Sequence, residues 1–314
     1  MTLSKRHLAI LALIGAHVIW GAASPIFKWS LQDIPPMTLA FSRFVLASLL
    51  MLSFGYKQLA IKKQDFPALF FLGFIGITAN IAFFFFGLEF TSSINVPVIY
   101  AGIPIILIIG SLTYLKEKTQ EKVVIGTSIG LFGVLFLILR PLFESGHDGN
   151  ILGNIFILLS ALCVVWYTLL LKRFHLPYSA WTITFWTFAI GGLLFLPGTI
   201  TEIMFAKERH LLTGQALFGI GYGAFFSSAL AYLFYNFGVE YLKANEVGIF
   251  SYLEPITTII VAVPLLQEEI TPFYIVGSLF VFLGIFIAEG KFFTHPFHRA
   301  EIKKRDVDLS SEAT

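Results

Sequence analysis

Residues 86–133 of this chain lie over residues 237–284 at one constant offset of 151 positions, with no gap. The match rests on Gly87/Gly238, Glu89/Glu240, Pro104/Pro255, Leu115/Leu266, Glu117/Glu268, Gly126/Gly277 and Gly133/Gly284. Glycine, proline and carboxylate positions do not coincide merely because two segments are apolar. The relation between the copies is legible in a mismatch. The turn after the first copy's TYL carries Lys116, Lys118 and Lys122, where the matching turn carries Gln267, Glu269 and Phe273. Cytoplasmic turns of membrane proteins collect Lys and Arg, and exported turns need not. The two copies are therefore expected to cross the membrane in opposite senses. Many secondary transporters are built this way, with the substrate between the halves.

The membrane setting follows from composition. Of 314 residues, 57% are hydrophobic and 13% charged, and the mean hydropathy is +0.82. Soluble domains run at roughly a quarter charged. The net charge of +2 says little, because the charges fall in turns and tails. Cys163 is the single cysteine and sits in an apolar run, so no intramolecular disulfide forms and a small core residue is the plain reading. Lys5, Arg6 and the apolar run behind them resemble a signal peptide. That run continues to Trp29, too long for one, and the repeat needs it as a first helix.

A helix crosses the hydrocarbon in about 20 residues, and on that ruler the chain divides into roughly ten spans. They fall near residues 8–30, 37–56, 66–90, 93–115, 123–139, 151–171, 178–197, 214–242, 244–266 and 272–293. The first five-helix copy is expected over 8–141 and the second over 151–293, with 294–314 a disordered cytoplasmic tail. With the N-terminus inside, the cytoplasmic side receives 16 of the 21 Lys and Arg residues, and the outer side only Arg140, Lys207 and Arg209. That asymmetry sets both termini in the cytoplasm of a multi-pass protein of the cell (inner) membrane. An odd number of spans per copy then inverts the second copy.

The opening IWGAASPIFKWSL and PMTLAFSRFVLASLL resembles that of the drug/metabolite transporter superfamily, in its EamA branch. The features shared are Trp20 and Gly21 early in the first span, Lys28 near its end, Pro36, and Arg43 inside the second span. The fourth and ninth spans follow the family as well, through Pro104, Glu117, Gly126 and Gly133 and through Pro255, Glu268, Gly277 and Gly284. The resemblance covers the chain except its tail. It implies a carrier of metabolites or drugs, often an exporter, with a central cavity lined by the first, third and fourth spans and their repeat partners. The second copy departs from the pattern, with Tyr167 after Trp166 and Thr187 where Arg43 would align.

Several residues inside the spans carry chemistry. Pro104 and Pro255 sit near the centres of their spans, where each removes an N–H and frees the carbonyl four residues back. They are expected to kink both helices. Glu254 lies about 14 Å from the inner end of its span, near the midplane. A charge there faces a cavity or a partner. His17 lies at similar depth, so the two are expected to share a proton or a hydrogen bond. Ile103 occupies the position matching Glu254, which makes the charge one-sided. Arg43 can hold an anionic group in two-pronged fashion or pair with Glu89 as a structural bridge, and the bridge is the favoured expectation. Lys28 is expected to reach the outer headgroups. Trp20, Asn80, Tyr100, Trp166, Tyr167, Tyr232, Tyr235, Asn236, Ser251 and Tyr252 complete a polar-aromatic set suited to amphipathic organic molecules.

The expectation is an all-α integral membrane protein of ten helices in two inverted five-helix repeats. It would be a secondary transporter, in the exporting sense, of small organic metabolites, amino-acid-like compounds or drugs. The partners expected are a small-molecule substrate, with protons as a candidate coupling ion, and the lipid bilayer; a homodimer is compatible with the sequence. No cofactor, metal site, nucleic-acid site or catalytic constellation is expected. The alternative is an integral-membrane enzyme acting on lipid-linked substrates, which would need clustered catalytic residues at an interface.

Overall fold

The computed structural model describes residues 5–56, 59–103, 106–107, 109–110, 121–139, 151–174, 176–205, 213–242, 247 and 249–289. Among the described residues the chain is helical and has no strand. The elements in order are α1 Lys5–Ser30, α2 Pro36–Gly55, α3 Lys63–Phe90, α4 Asn95–Tyr100, α5 Glu121–Leu139, α6 Ile151–Phe174, α7 Ala180–Phe205, α8 Gly214–Tyr241, α9 Leu253–Leu266 and α10 Pro272–Glu289. α1–α3 and α6–α8 are long and apolar enough to cross a membrane, and shorter apolar stretches lie at Ser128–Leu137, Leu253–Leu266 and Pro272–Gly284. Phe54, Phe71, Leu193, Ile260, Leu279 and Phe286 are more than half exposed. Such a surface suits hydrocarbon rather than water. Pro104, the side chain of Tyr252 and the expected tail lie outside the described residues.

α1 packs against α8 and α9, and α3 against α6, with α4 also on α6. α2 lies against α7 and the middle of α8. α5 and α10 pair closely because glycine lets their backbones touch. A Cβ on Gly133 would stand 2.8 Å from the Gly277 carbonyl, and one on Gly284 would meet the backbone of Gly126 and Gly130.

Irregular backbone recurs at matched places. α3 turns π-helical at Phe74–Ala79 and α8 at Gly223–Leu230, which overlap at the 151 offset. α4 stops at Tyr100 and gives way to a turn at 101–102, while a 3-10 turn over Ile249–Tyr252 precedes α9. The expected kink at Pro255 is thereby corrected. Pro255 is the third residue of α9, within a first turn whose N–H groups have no intrahelical partner, so its ring breaks nothing there. The irregularity precedes the proline as a helix break. α7 also outruns its expected end at 197. It pauses at Phe195 and restarts with Pro197 in the new first turn, running to Phe205.

Carboxylates borrowed from other elements hold two helix starts. Glu202 of α7 accepts from the Met37 and Thr38 amides, at 2.9 and 2.7 Å, at the head of α2. Glu268, after α9, accepts from the Ser93 and Ile94 amides at 2.8 and 3.0 Å and from both serine hydroxyls, Ser92 and Ser93. Each satisfies orphan N–H groups and meets the positive end of the helix dipole. Gln267, with φ of 54°, ends α9 in the left-handed region and sends Glu268 across. Lys28 does not snorkel as expected. It donates to the Thr91 carbonyl at the end of α3, at 2.5 Å, and stands 3.6 Å from Glu268. At the opposite end of the molecule, Lys172 donates to the Leu242 carbonyl at 2.7 Å, one residue past α8. Thr91 and Leu242 are again 151 positions apart.

Candidate functional site

The helix breaks and the π turns face one another across a cavity of about 870 Å³ of empty space, its open mouth included. Its walls come from α1, α2, α3, α4, α6, α8 and α9. Six pairs of lining residues stand at the 151 offset: Gly76/Ser227, Ile81/Tyr232, Phe84/Tyr235, Val96/Val247, Tyr100/Ser251 and Ile103/Glu254. Matched backbone positions therefore build both sides.

Glu254 is the second residue of α9, in a first turn whose free N–H groups favour a carboxylate. His17 Nδ1 lies 2.6 Å from its Oε1, and both side chains are buried. Tight helix packing fixes this pair. A Cβ on Gly21 would stand 2.8 Å from the Glu254 carbonyl, and Thr258 donates to the Gly21 carbonyl at 2.6 Å. His17 is wedged edge-on between Trp20 and Tyr235, with centroids 5.4 and 6.1 Å away. With Nδ1–H donating to the carboxylate, Nε2 is free to accept; it is buried and has no hydrogen-bond partner. A proton added at Nε2 turns it into a donor, so the pair can carry a proton or grip a polar group.

The π turns supply acceptors. A π register leaves a carbonyl without its α-helical partner. Trp20 Nε1 donates to the Ser227 carbonyl and Asn80 Nδ2 to the Gly76 carbonyl, both at 3.0 Å. Asn80 also closes a relay: Ser160 donates to its Oδ1 at 2.6 Å, and the Tyr100 hydroxyl lies 2.5 Å from Ser160. Arg43, expected to bridge to Glu89, lines the cavity instead. Its Nε and Nη2 donate to Ser228 and Ser227 at 3.0 and 3.1 Å, while Glu89 lies half-buried toward the end of α3.

Of the residues singled out in the sequence, Glu254, His17, Trp20, Asn80, Tyr100, Tyr232 and Ser251 line the cavity. Trp166 does not: it is 47% exposed on the outward face of α6, and its neighbour Tyr167 turns inward in its place. Asn236 stands one layer back, accepting from the Tyr167 hydroxyl at 2.8 Å and donating to Thr184 at 2.7 Å. Ser24, Ser227 and Phe27 also line the wall and were not singled out. No signal in the sequence marked Ser227, which lies outside the gapless match and faces a plain glycine, Gly76, at the 151 offset. Among the described residues no group of three or more His, Cys, Asp or Glu could hold a metal ion.

The model of the EamA-like transporter family matches this sequence twice, over residues 7–139 and 151–289. The chain belongs to that family. It is a multi-pass membrane transporter and not an enzyme. The uncharacterized transporter YyaM of Bacillus subtilis (strain 168) is 28% identical over 295 residues, covering 91% of this chain and 95% of its own. An uncharacterized transporter of Archaeoglobus fulgidus is 25% identical over 296 residues, covering 92% and 98%. A protein of known crystal structure is 16% identical, with a TM-score of 0.66 over 90% of this chain and 97% of that one, a likeness of fold.

Proposed function

We propose that the chain is a secondary transporter of small organic molecules that works by alternating access. Its two halves, 8–141 and 151–293, are five-span units of opposite topology that rock around the cavity. Both termini lie in the cytoplasm, and export is the working direction. Trp20, Tyr100 and Tyr232 grip the organic part of the cargo, and the His17–Glu254 pair takes its polar head or the coupling proton. The observation that carries this reading is the cavity lined at six matched positions by both copies of the repeat. A site reachable in turn from either side by exchanging the roles of two halves needs such pairing.

Metabolite profiles of cells overexpressing and lacking the protein identify a cargo, and flux of that cargo in proteoliposomes tests the function. No flux for any enriched compound would overturn it. For topology, a cysteine placed at Ser145 in a Cys163→Ser background is expected to react with an impermeant thiol reagent on intact cells. Reaction only after lysis would sink the inverted arrangement.

A further inference from the structure

We infer that Arg43 is an anion subsite of the cavity, and that the cargo carries a carboxylate on an apolar body; this deepens the transport reading and rests on it. Arg43 is 1% exposed and sits within α2, inside the span. A buried cation inside a membrane is costly and is found paired or lining a functional cavity. The partners of Arg43 are neutral. Nε and Nη2 each meet a serine hydroxyl, and Nη1, which bears two N–H groups, is buried with no hydrogen-bond partner. Among the described residues no carboxylate lies within ion-pair distance of it. Glu254, the carboxylate that shares the cavity wall, is already bonded to His17.

The surroundings fix orientation. The guanidinium lies over the faces of Phe27 and Phe44, with its carbon 4.5 and 4.6 Å from their centroids. Two rings and two serines lock the plane of the group, so its Nη1–Nη2 edge is pre-set rather than floppy. That edge matches the two oxygens of a carboxylate. Phe27, and Phe84 which packs edge-on against it in the same cavity wall, offer an apolar bed for the rest of the molecule. A monoanion bound there would neutralise the buried charge and complete its donors at once.

The test uses the full-length protein in lipid nanodiscs and its thermal unfolding in chloride-free buffer. The probes are acetate, phenylacetate and indole-3-acetate, each beside its primary amide. At least one carboxylate is expected to raise the Tm while its amide does not. Arg43→Gln should weaken that carboxylate at least about tenfold, and Arg43→Lys, which keeps charge but loses the fork, should weaken it less. Should Arg43→Gln fail to assemble, Arg43→Lys decides through the ratio of carboxylate to amide affinity, which must fall. The inference is overturned if amides act as well as acids, if Arg43→Gln or its stand-in leaves the preference intact, if no probe acts, or if chloride stabilises and carboxylates add nothing. Counterflow in proteoliposomes separates the two levels. Flux of a neutral or cationic compound without carboxylate binding removes the subsite and leaves the transporter mechanism. Arg43-dependent carboxylate binding without flux keeps the subsite and removes the alternation.

Discussion

The cavity has two walls that match in backbone and differ in chemistry. On the α3–α4 side stand Gly76, Ile81, Phe84 and Ile103; at the matching places on the α8–α9 side stand Ser227, Tyr232, Tyr235 and Glu254. Polar groups of the first wall are already satisfied by protein partners, in a relay from Tyr100 through Ser160 of α6 and Asn80 to the Gly76 carbonyl. The second wall instead draws polar groups to itself. His17 leans on Glu254 and Arg43 on Ser227 and Ser228, although both come from the first half of the chain. Each keeps a buried nitrogen atom without a partner. The difference teaches that the repeat sets where the walls stand and that divergence between its copies sets their chemistry. On the proposed mechanism, rocking would use the shared backbone plan, and binding an amphipathic molecule in one orientation would use the unlike side chains.

The largest break in that asymmetry comes from making the second wall like the first at its charged position. Glu254→Ile restores the residue found at position 103 and strands His17. Removing one member of a buried pair leaves the other without its partner, so both the Tm and transport of the identified cargo should fall, transport by more than about tenfold. Glu254→Gln is the sharper companion. It keeps shape and a hydrogen bond to His17 but cannot titrate, so flux should lose its pH dependence while membrane assembly, followed by size-exclusion chromatography, stays normal. An unchanged pH profile would assign the carboxylate to structure alone.

Next in size is the support beneath the pair. Gly21→Ala should push α9 off α1, an overpacking cost of about 1–3 kcal/mol. Both the Tm and the cargo affinity should fall. Gly221→Ala is the control, because nothing lies within 4 Å of a Cβ there and the helix should gain slightly. Equal behaviour of the two variants would show that close packing at Gly21 does not position Glu254.

Much of the helical architecture was readable in the sequence, and the failures have separate physical causes. Apolar runs and turn residues located the six helices long enough to cross a membrane, because the hydrocarbon sets a fixed length for a span. The repeat marked Pro255 and the glycines that pair α5 with α10, while depth within its span marked Glu254. It could not say that the ninth span breaks at 249–252, because an X-Pro step is compatible with either a kink or a fresh helix start. Direction around a helix was the second loss. Trp166 and Tyr167 are adjacent and both polar-aromatic, and only packing shows which one turns inward. Lys28 and Arg43 were misjudged because their partners, Thr91 with Glu268 and Ser227 with Ser228, are distant in sequence.

Pro255→Ala should act weakly. The proline occupies a first turn, so its loss costs little stability. An alanine lets the helix propagate back through 249–252 and carries Glu254 out of the N-terminal turn. Insertion should be normal and flux reduced a few-fold; wild-type flux would make the proline a packing feature.

The smallest effect expected is at Ser227→Gly, which gives the second wall the residue of the first at position 76. Arg43 loses one hydroxyl acceptor but keeps Ser228 at 3.0 Å and its two aromatic faces. The Ser227 carbonyl that holds Trp20 is backbone and survives the change. The loss is that of a single hydrogen bond to a charged group with a second one intact, and a rise of a few-fold in KM with kcat unchanged is expected. Because the guanidinium plane is then held on one side only, the preference for a carboxylate over its amide should narrow in the same variant. A fall in kcat with unchanged KM would point the other way. It would place Ser227 in the moving π turn of α8, rather than in the wall that orients Arg43.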